Sequence, residues 1–465
     1  MQSITLRMPE PGTRFEDAVV LNTFERIVPT EKINEVLDNT NTRERRKRKL
    51  PARICVLLVI AMSLFTEENI EKVLTKIVQG LRLAWLHRNY QPATDGAICQ
   101  ARYRLGPKPL VELFHLICKP IATPQTPGAF LFGLRLKAID GTLEDVPDTP
   151  ANERAFGRLS GGRGKDAFPK VRGIYLIEGG THAFLDAVFW GCRRGEPAGG
   201  LRLLRSVGPG DLLMWDKNFH SYEMVKQTLA TQAHFLGRVA SSIILKPVEQ
   251  LADGSYLAYV YPSPKARRKN QDGILVRVIE YTIDDPHRAG YGETHRLITS
   301  LLNLNLYPAQ ELACAYHERW EIEIVIDEVD THQRVYSRPL RSQKPVGVIQ
   351  ELYGMLIAHY IVRVLMHEAA LQVGLDPDRL SFINSLRIIR NAIPEFQQIA
   401  PEYIPLLYQR LLDDIAREVL PPRRDRSYPR VVKRKMSKFA LKRPEHENWP
   451  QPLKPFADSV VILGP

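Results

Sequence analysis

Five cysteines in 465 residues, Cys55, Cys99, Cys118, Cys192 and Cys314, stand far apart with no CxxC among them. That spacing excludes a zinc ribbon and a disulfide framework, and predicts reduced core thiols. The opening MQSITLRMPEPG lacks the apolar run of a signal peptide, so secretion is not expected. The longest apolar stretch, Ile54 to Phe65, falls short of the roughly 20 residues a bilayer span requires, and reads as a buried helix. Acid is also in deficit. Lys and Arg number 64 against 52 Asp and Glu, which leaves +12 and a pI near 9.4. A surplus of that size favours a polyanionic partner, and nucleic acid suits it better than a membrane surface. No internal repeat is present. With 44% hydrophobic and 25% charged residues the chain belongs with globular proteins, and its length suggests about three units.

From Thr30 to about Ala122, apolar residues recur at three and four residue intervals, the mark of a helical domain. It carries a basic run (Arg43, Arg45, Arg46, Lys47, Arg48, Lys49) and a short helix with Arg102 and Arg104, both candidates for DNA contact. Past the Pro124 to Gly128 boundary come short strands: Leu134 to Ile139, the hairpin of Lys170 to Ile177 and His182 to Trp190, and Asp211 to Trp215. A strand-rich segment from about 236 to 302 follows, with a basic loop of Lys265, Arg267, Arg268 and Lys269. A long helix is expected from Pro308 to about Thr331, then further helices to Leu420. The tail from Arg423 to Arg443 holds ten Lys or Arg and one acid, Asp425, and cannot build a core of its own. The glycine-rich Ser160 to Lys165 lacks the phosphate-loop spacing, and His367-Glu368-Ala369-Ala370-Leu371 lacks the second His of a zinc protease.

Three carboxylates remain as candidates for chemistry. Asp140 ends the first predicted strand, and Asp216 ends the fourth. Two strand-terminal acids on neighbouring strands can share a divalent cation, which takes one or two carboxylates and keeps several waters. On the helix, Tyr316, Arg319 and Glu323 fall at roughly 0°, 300° and 340°, one face bearing an aromatic, a cation and an acid. An amphipathic lattice of Arg and Glu would explain the charges but not the aromatic register.

These motifs together resemble the DDE transposases of insertion sequence family four. Their helix signature is Tyr, two residues, Arg, three residues, Glu, six residues, Lys, which Tyr316, Arg319 and Glu323 match. Asp140-Gly141-Thr142 is similar to the family's first acidic motif and Asp216 to Phe219 to its second, and the likeness spans roughly residues 30 to 400. The resemblance implies an α/β fold: an RNase H-like catalytic core interrupted by a β-rich insertion, with an N-terminal helical domain and a C-terminal helical region with a basic tail. The expected divisions are 1–125 (helical, DNA-binding), 126–235 (core, first part), 236–302 (insertion), 303–375 (core, second part) and 376–465 (helices and tail). It implies a metal-dependent transposase that cuts and joins insertion-sequence ends, cut-and-paste through a hairpin end. Asp140, Asp216 and Glu323 would be both catalytic and metal ligands for two Mg²⁺ or Mn²⁺ ions.

The partners implied are double-stranded DNA, as terminal inverted repeats and target, and a second copy of the chain in a homodimer; no membrane is expected, and the location is the bacterial cytoplasm and nucleoid. Arg319 would meet a phosphate near the cut, Tyr316 the distorted end, and Trp320 or Trp215 a flipped base. The signature's last Lys falls at Asp330, which would repel a phosphate; Arg334, one turn on, is the replacement cation, and Asp330→Lys is expected to strengthen end binding. A weakened DNA-binding relative, or a nuclease that cuts without joining, are the competing readings.

Overall fold

A computed structural model of the chain describes residues 24–44, 46, 48, 50–79, 93–161, 164–334, 339–421, 431–432 and 440–464, without the side chains of 161, 318, 320–322 and 432. Most of the basic tail (422–430 and 433–439) and half of the Arg43 to Lys49 run thus lie outside the described residues. In chain order the helices used below are α1 (Thr30–Asn39), α2 (Ala52–Leu64), α3 (Ile70–Val78), α4 (Asp95–Leu105), α5 (Lys108–Ile117), α6 (Tyr222–Ala230), α7 (Pro264–Lys269), α8 (Ala309–Glu318), α9 (Trp320–Asp327), α10 (Pro345–Gln372), α11 (Phe382–Gln398) and α12 (Ile404–Ala416). The strands are β1 (Leu134–Asp145), β2 (Lys170–Glu178), β3 (Phe184–Gly191), β4 (Asp211–Trp215), β5 (His234–Arg238), β6 (Tyr256–Val260), β7 (Ile274–Ile283), β8 (His295–Thr299) and β9 (Val460–Leu463). The fold is mixed α/β, and its contacts form two units, one of 1–129, 141–195 and 322–420, the other of 130–140, 196–321 and 421–465.

The first unit is built on α10. Its 28 residues are long and apolar enough to cross a membrane, yet 89% of the apolar window is buried, and helices α2, α5, α11 and α12 pack on it. Gly354 permits a close approach of α2, because a Cβ there would lie 2.8 Å from a Val59 methyl and 2.9 Å from the Val59 carbonyl oxygen. The helix starts are set locally: Asn69 Oδ1 accepts the Lys72 amide at 2.9 Å for α3, and Thr94 Oγ1 accepts the Ala97 amide for α4. After α9 the backbone widens into a π-helical turn, Glu328–Gln333. Buried Glu328 accepts from His359 Nε2 at 3.0 Å and Arg363 Nε at 3.1 Å. Burial alone would raise its carboxyl, but Arg363, His182 and His359 outweigh that and hold it well below the usual range. Gln333 Nε2 donates to the Met355 carbonyl at 3.1 Å, which fixes the turn's other end.

The second unit is a sheet in the order β1, β4, β5, β8, β7, β6. β4 runs parallel to β1 and to β5, and the remaining neighbours are antiparallel. β4 is buried along its whole length, as an unbroken apolar run in a parallel strand must be. Trp215 fits beneath β5 because position 237 is Gly; a Cβ there would fall 2.3 Å from the indole nitrogen. The strands of 236–302, expected as an insertion, pair directly onto β5 through β8 and extend this one sheet. Residues 460–463 also belong to it: β9 pairs with the last four residues of β7.

Candidate active site

The parallel ladder between β1 and β4 runs from Arg135 opposite Asp211 to Ile139 opposite Trp215. Asp140 and Asp216 are therefore the next residue on each strand beyond the last pair, on neighbouring chains about 4.8 Å apart. This is the carboxyl edge of a parallel sheet, where α/β folds place their sites. Asp140 does not end its strand, as expected from sequence: β1 runs on to Asp145, and Asp140 ends only the parallel ladder.

Helix α8 brings two further groups to this edge. Arg319 Nη1 lies 3.4 Å from Asp140 Oδ2, and its guanidinium carbon is 5.5 Å from the Tyr316 ring centroid. Burial works against the Arg319 charge, but Tyr316, Asp140 and Asp216 together raise its pKa. Tyr316 Oη donates to the Trp215 carbonyl at 3.2 Å and braces the end of β4 immediately before Asp216. Burial lifts its phenol to about 12, so it stays a donor at any physiological pH. The expectation that Tyr316 meets DNA directly is corrected: it is 6% exposed and its hydroxyl is spent inside the protein.

Glu323 follows on α9, half-buried. Among the described residues no three of His, Cys, Asp and Glu are gathered as a ready metal cage. The donor set nevertheless suits a hard divalent cation: two carboxylates at adjacent strand ends, with a guanidinium 3.4 Å from the first where a metal's charge would otherwise balance it.

The other predicted residues divide. Arg104 is exposed and, with Arg46 and Arg48, lines a cavity of about 240 Å³ beside the start of α2. Lys265, Arg267, Arg268 and Lys269 form not a loop but helix α7, capped by Ser263 Oγ accepting the Ala266 amide at 3.1 Å. Arg102 is corrected from surface contact to core: it is buried, with Nη2 donating to Ser342 Oγ at 2.9 Å and to the Gly347 carbonyl at 3.0 Å. Trp215 is likewise interior, stacked on Phe235 with centroids 5.1 Å apart, so it cannot receive a base. The Trp320 side chain lies outside the described residues. Arg334 forms an ion pair with Glu144, and Asp330 turns inward, with Thr142 Oγ1 3.5 Å from its Oδ2. The expected gain from Asp330→Lys therefore loses its basis, since the side chain faces β1 and not an open helix face. The group of Thr142, Glu144, Asp330 and Arg334 was missed from sequence. Its signal was there: Asp140, Thr142 and Glu144 alternate along one face of β1.

Residues 18–115 match the family described as insertion element 4 transposase N-terminal, and residues 132–361 match the transposase DDE domain. Over 415 residues the chain is 28% identical to the transposase InsG for insertion sequence element IS4 of Escherichia coli (strain K12), covering 88% of this chain and 91% of that protein. Among solved structures it is similar to the piggyBac transposase synaptic complex with hairpin DNA, at 14% identity and a TM-score of 0.43, over 92% of this chain and 90% of that one. The strand-edge aspartates, Tyr316 and Arg319 all fall within the residues matched by the transposase DDE domain. The chain belongs to the IS4 transposases, metal-dependent enzymes of DNA transposition whose partner is DNA.

Proposed function

We propose that the chain cuts and joins the ends of an insertion sequence by in-line phosphoryl transfer, cut-and-paste through a hairpin end. The observation that carries this is the register of β1 and β4, which makes Asp140 and Asp216 neighbours at one sheet edge. Asp140, Asp216 and Glu323 would hold two Mg²⁺ ions, and such ions polarise the scissile phosphate and its attacking and leaving oxygens. An RNase H-like core is supported by the second unit's sheet, in which β4 runs parallel to both β1 and β5. Tyr316 keeps the end of β4 in place. Arg319, relieved of Asp140 when a cation takes that carboxylate, turns its charge to a phosphate near the cut. Arg46, Arg48 and Arg104 around their cavity, with α7, supply backbone contacts to the duplex, and Trp320 is the aromatic assigned to a flipped base. Two copies acting at paired ends in the bacterial cytoplasm, at the nucleoid, complete the reading.

The test is cleavage of a duplex carrying the element's own terminal repeat with Mg²⁺. Asp140→Asn, Asp216→Asn and Glu323→Gln should each lower the rate by about 10³ or more while leaving DNA binding within a fewfold. A nick without any joined product would instead favour a nuclease, and full activity in any of the three variants would end the assignment.

A further inference from the structure

The position where the family signature ends in Lys is occupied here by Asp330, inside the π-helical turn Glu328–Gln333. The turn is pinned at both ends, by Glu328 to His359 and Arg363 and by Gln333 to the Met355 carbonyl. Asp330 lies between these anchors and points at the second half of β1. There Thr142 Oγ1 approaches its Oδ2 at 3.5 Å, and Glu144 is ion-paired with Arg334 through Oε2. The other oxygen of Glu144, Oε1, is buried and has no hydrogen-bond partner among the described residues, so it is an acceptor that a protonated neighbour would satisfy.

We propose that Asp330 and Glu144 share one proton and, with Thr142 and Arg334, form a latch that ties the turn after α9 to strand β1 and so positions Glu323. The Asp330 hydroxyl donates to Glu144 while the Arg334 guanidinium donates to the same carboxylate. One acid proton and one cation then balance two carboxyl groups. The groups facing Asp330 are Glu144 and Thr142 on β1, Arg334 after the turn, Asp327 at the end of α9 and Tyr175 on β2. Burial first, then the hydrogen bond and charge of Glu144, raise the Asp330 carboxyl well above its ordinary 3.8, against the opposing pull of Arg334. Because Glu323 precedes Asp330 by seven residues, the latch fixes the segment that carries the third carboxylate. Asp330 is thus a positioning residue. The positioning half rests on the proposed role of Glu323.

A raised folded value stabilises the fold fully below the unfolded carboxyl value, and that contribution is lost as pH rises through the folded one. The full chain, free of DNA and metal, should therefore melt with a lead over Asp330→Asn that narrows from pH 4 upward; a lead independent of pH would overturn the shared proton. In Mg²⁺-dependent cleavage of the terminal repeat, the wild type should slow as pH rises and the shared proton is lost, Asp330→Asn should remain within about threefold of it near neutrality without that slowing, and Asp330→Lys should lose about thirtyfold or more. Wild-type rates in Asp330→Lys would overturn the latch. If melting behaves as expected but Glu323→Gln still cleaves, the fault lies with Glu323 as the third carboxylate, and the positioning claim falls with it.

Discussion

Arg319 is the residue on which the site's charge balance turns. Its side chain is 8% exposed and that of Asp140 22%, so their 3.4 Å contact is screened only in part. Arg319→Ala removes this ion pair with Asp140, and the unfolding free energy in chelator should fall by about 2 kcal/mol in a urea titration. Added Mg²⁺ should then raise the variant's melting temperature more than the wild type's, because the ion replaces the lost charge. Equal gains would mean that Arg319 and the cation do not compete for Asp140. The aspartates, Tyr316 and Arg319 were legible in the sequence because each breaks an apolar pattern or holds a helical register. Arg102 was not: an arginine on a basic helix reads as surface, and only its buried partners, Ser342 and Gly347, some 240 residues away, show it to be core.

At the scale of elements, the sequence's long helix is present but is three pieces, α8, α9 and the π-helical turn. Period alone places Asp330 on the Glu323 face, because a 3.6-residue wheel cannot register an added residue in the turn. Strand β1 was underestimated for a related reason: beyond Ile139 its residues are polar and alternate, so the apolar signal stops six residues before the strand does. Helix α7 was read as a loop, since six residues between Ser263 and Asn270 give too few periods to detect. Its four cations have no ion-pair partner among the described residues and three are exposed. Replacing all four by Ala should flatten the slope of log binding constant against log salt by as much as about 3.6 for duplex DNA, with equal loss on any sequence. An unchanged slope would remove α7 from the interface.

For the molecule as a whole, the segment from Pro444 to Leu463 closes the second unit. Trp449 Nε1 donates to the His287 carbonyl at 2.7 Å, and Gln310 Nε2 to the Ala457 carbonyl at 2.6 Å. Phe456 stacks on His317 with ring centroids 3.7 Å apart, next to Tyr316 on α8. Deleting residues 444–465 removes no proposed catalytic group, yet should cut terminal-repeat cleavage at least about tenfold and speed amide exchange across 309–318. Retained protection there would show that α8 stands without this strap. Composition gave no hint of it, because four residues of β9 are too few to distinguish a strand from a loop.

That strap also sets a clock on the protein's birth. Phe456 is made roughly 140 residues after His317, so at bacterial rates of about 5–20 residues per second α8 waits roughly 7 to 28 s for its cover. During that interval β7 exposes an open edge where β9 will pair, and the helix bearing Tyr316 and Arg319 lacks its outer support. A newborn chain therefore lacks the Phe456 cover on α8 until well after Asp140 and Asp216 have left the ribosome.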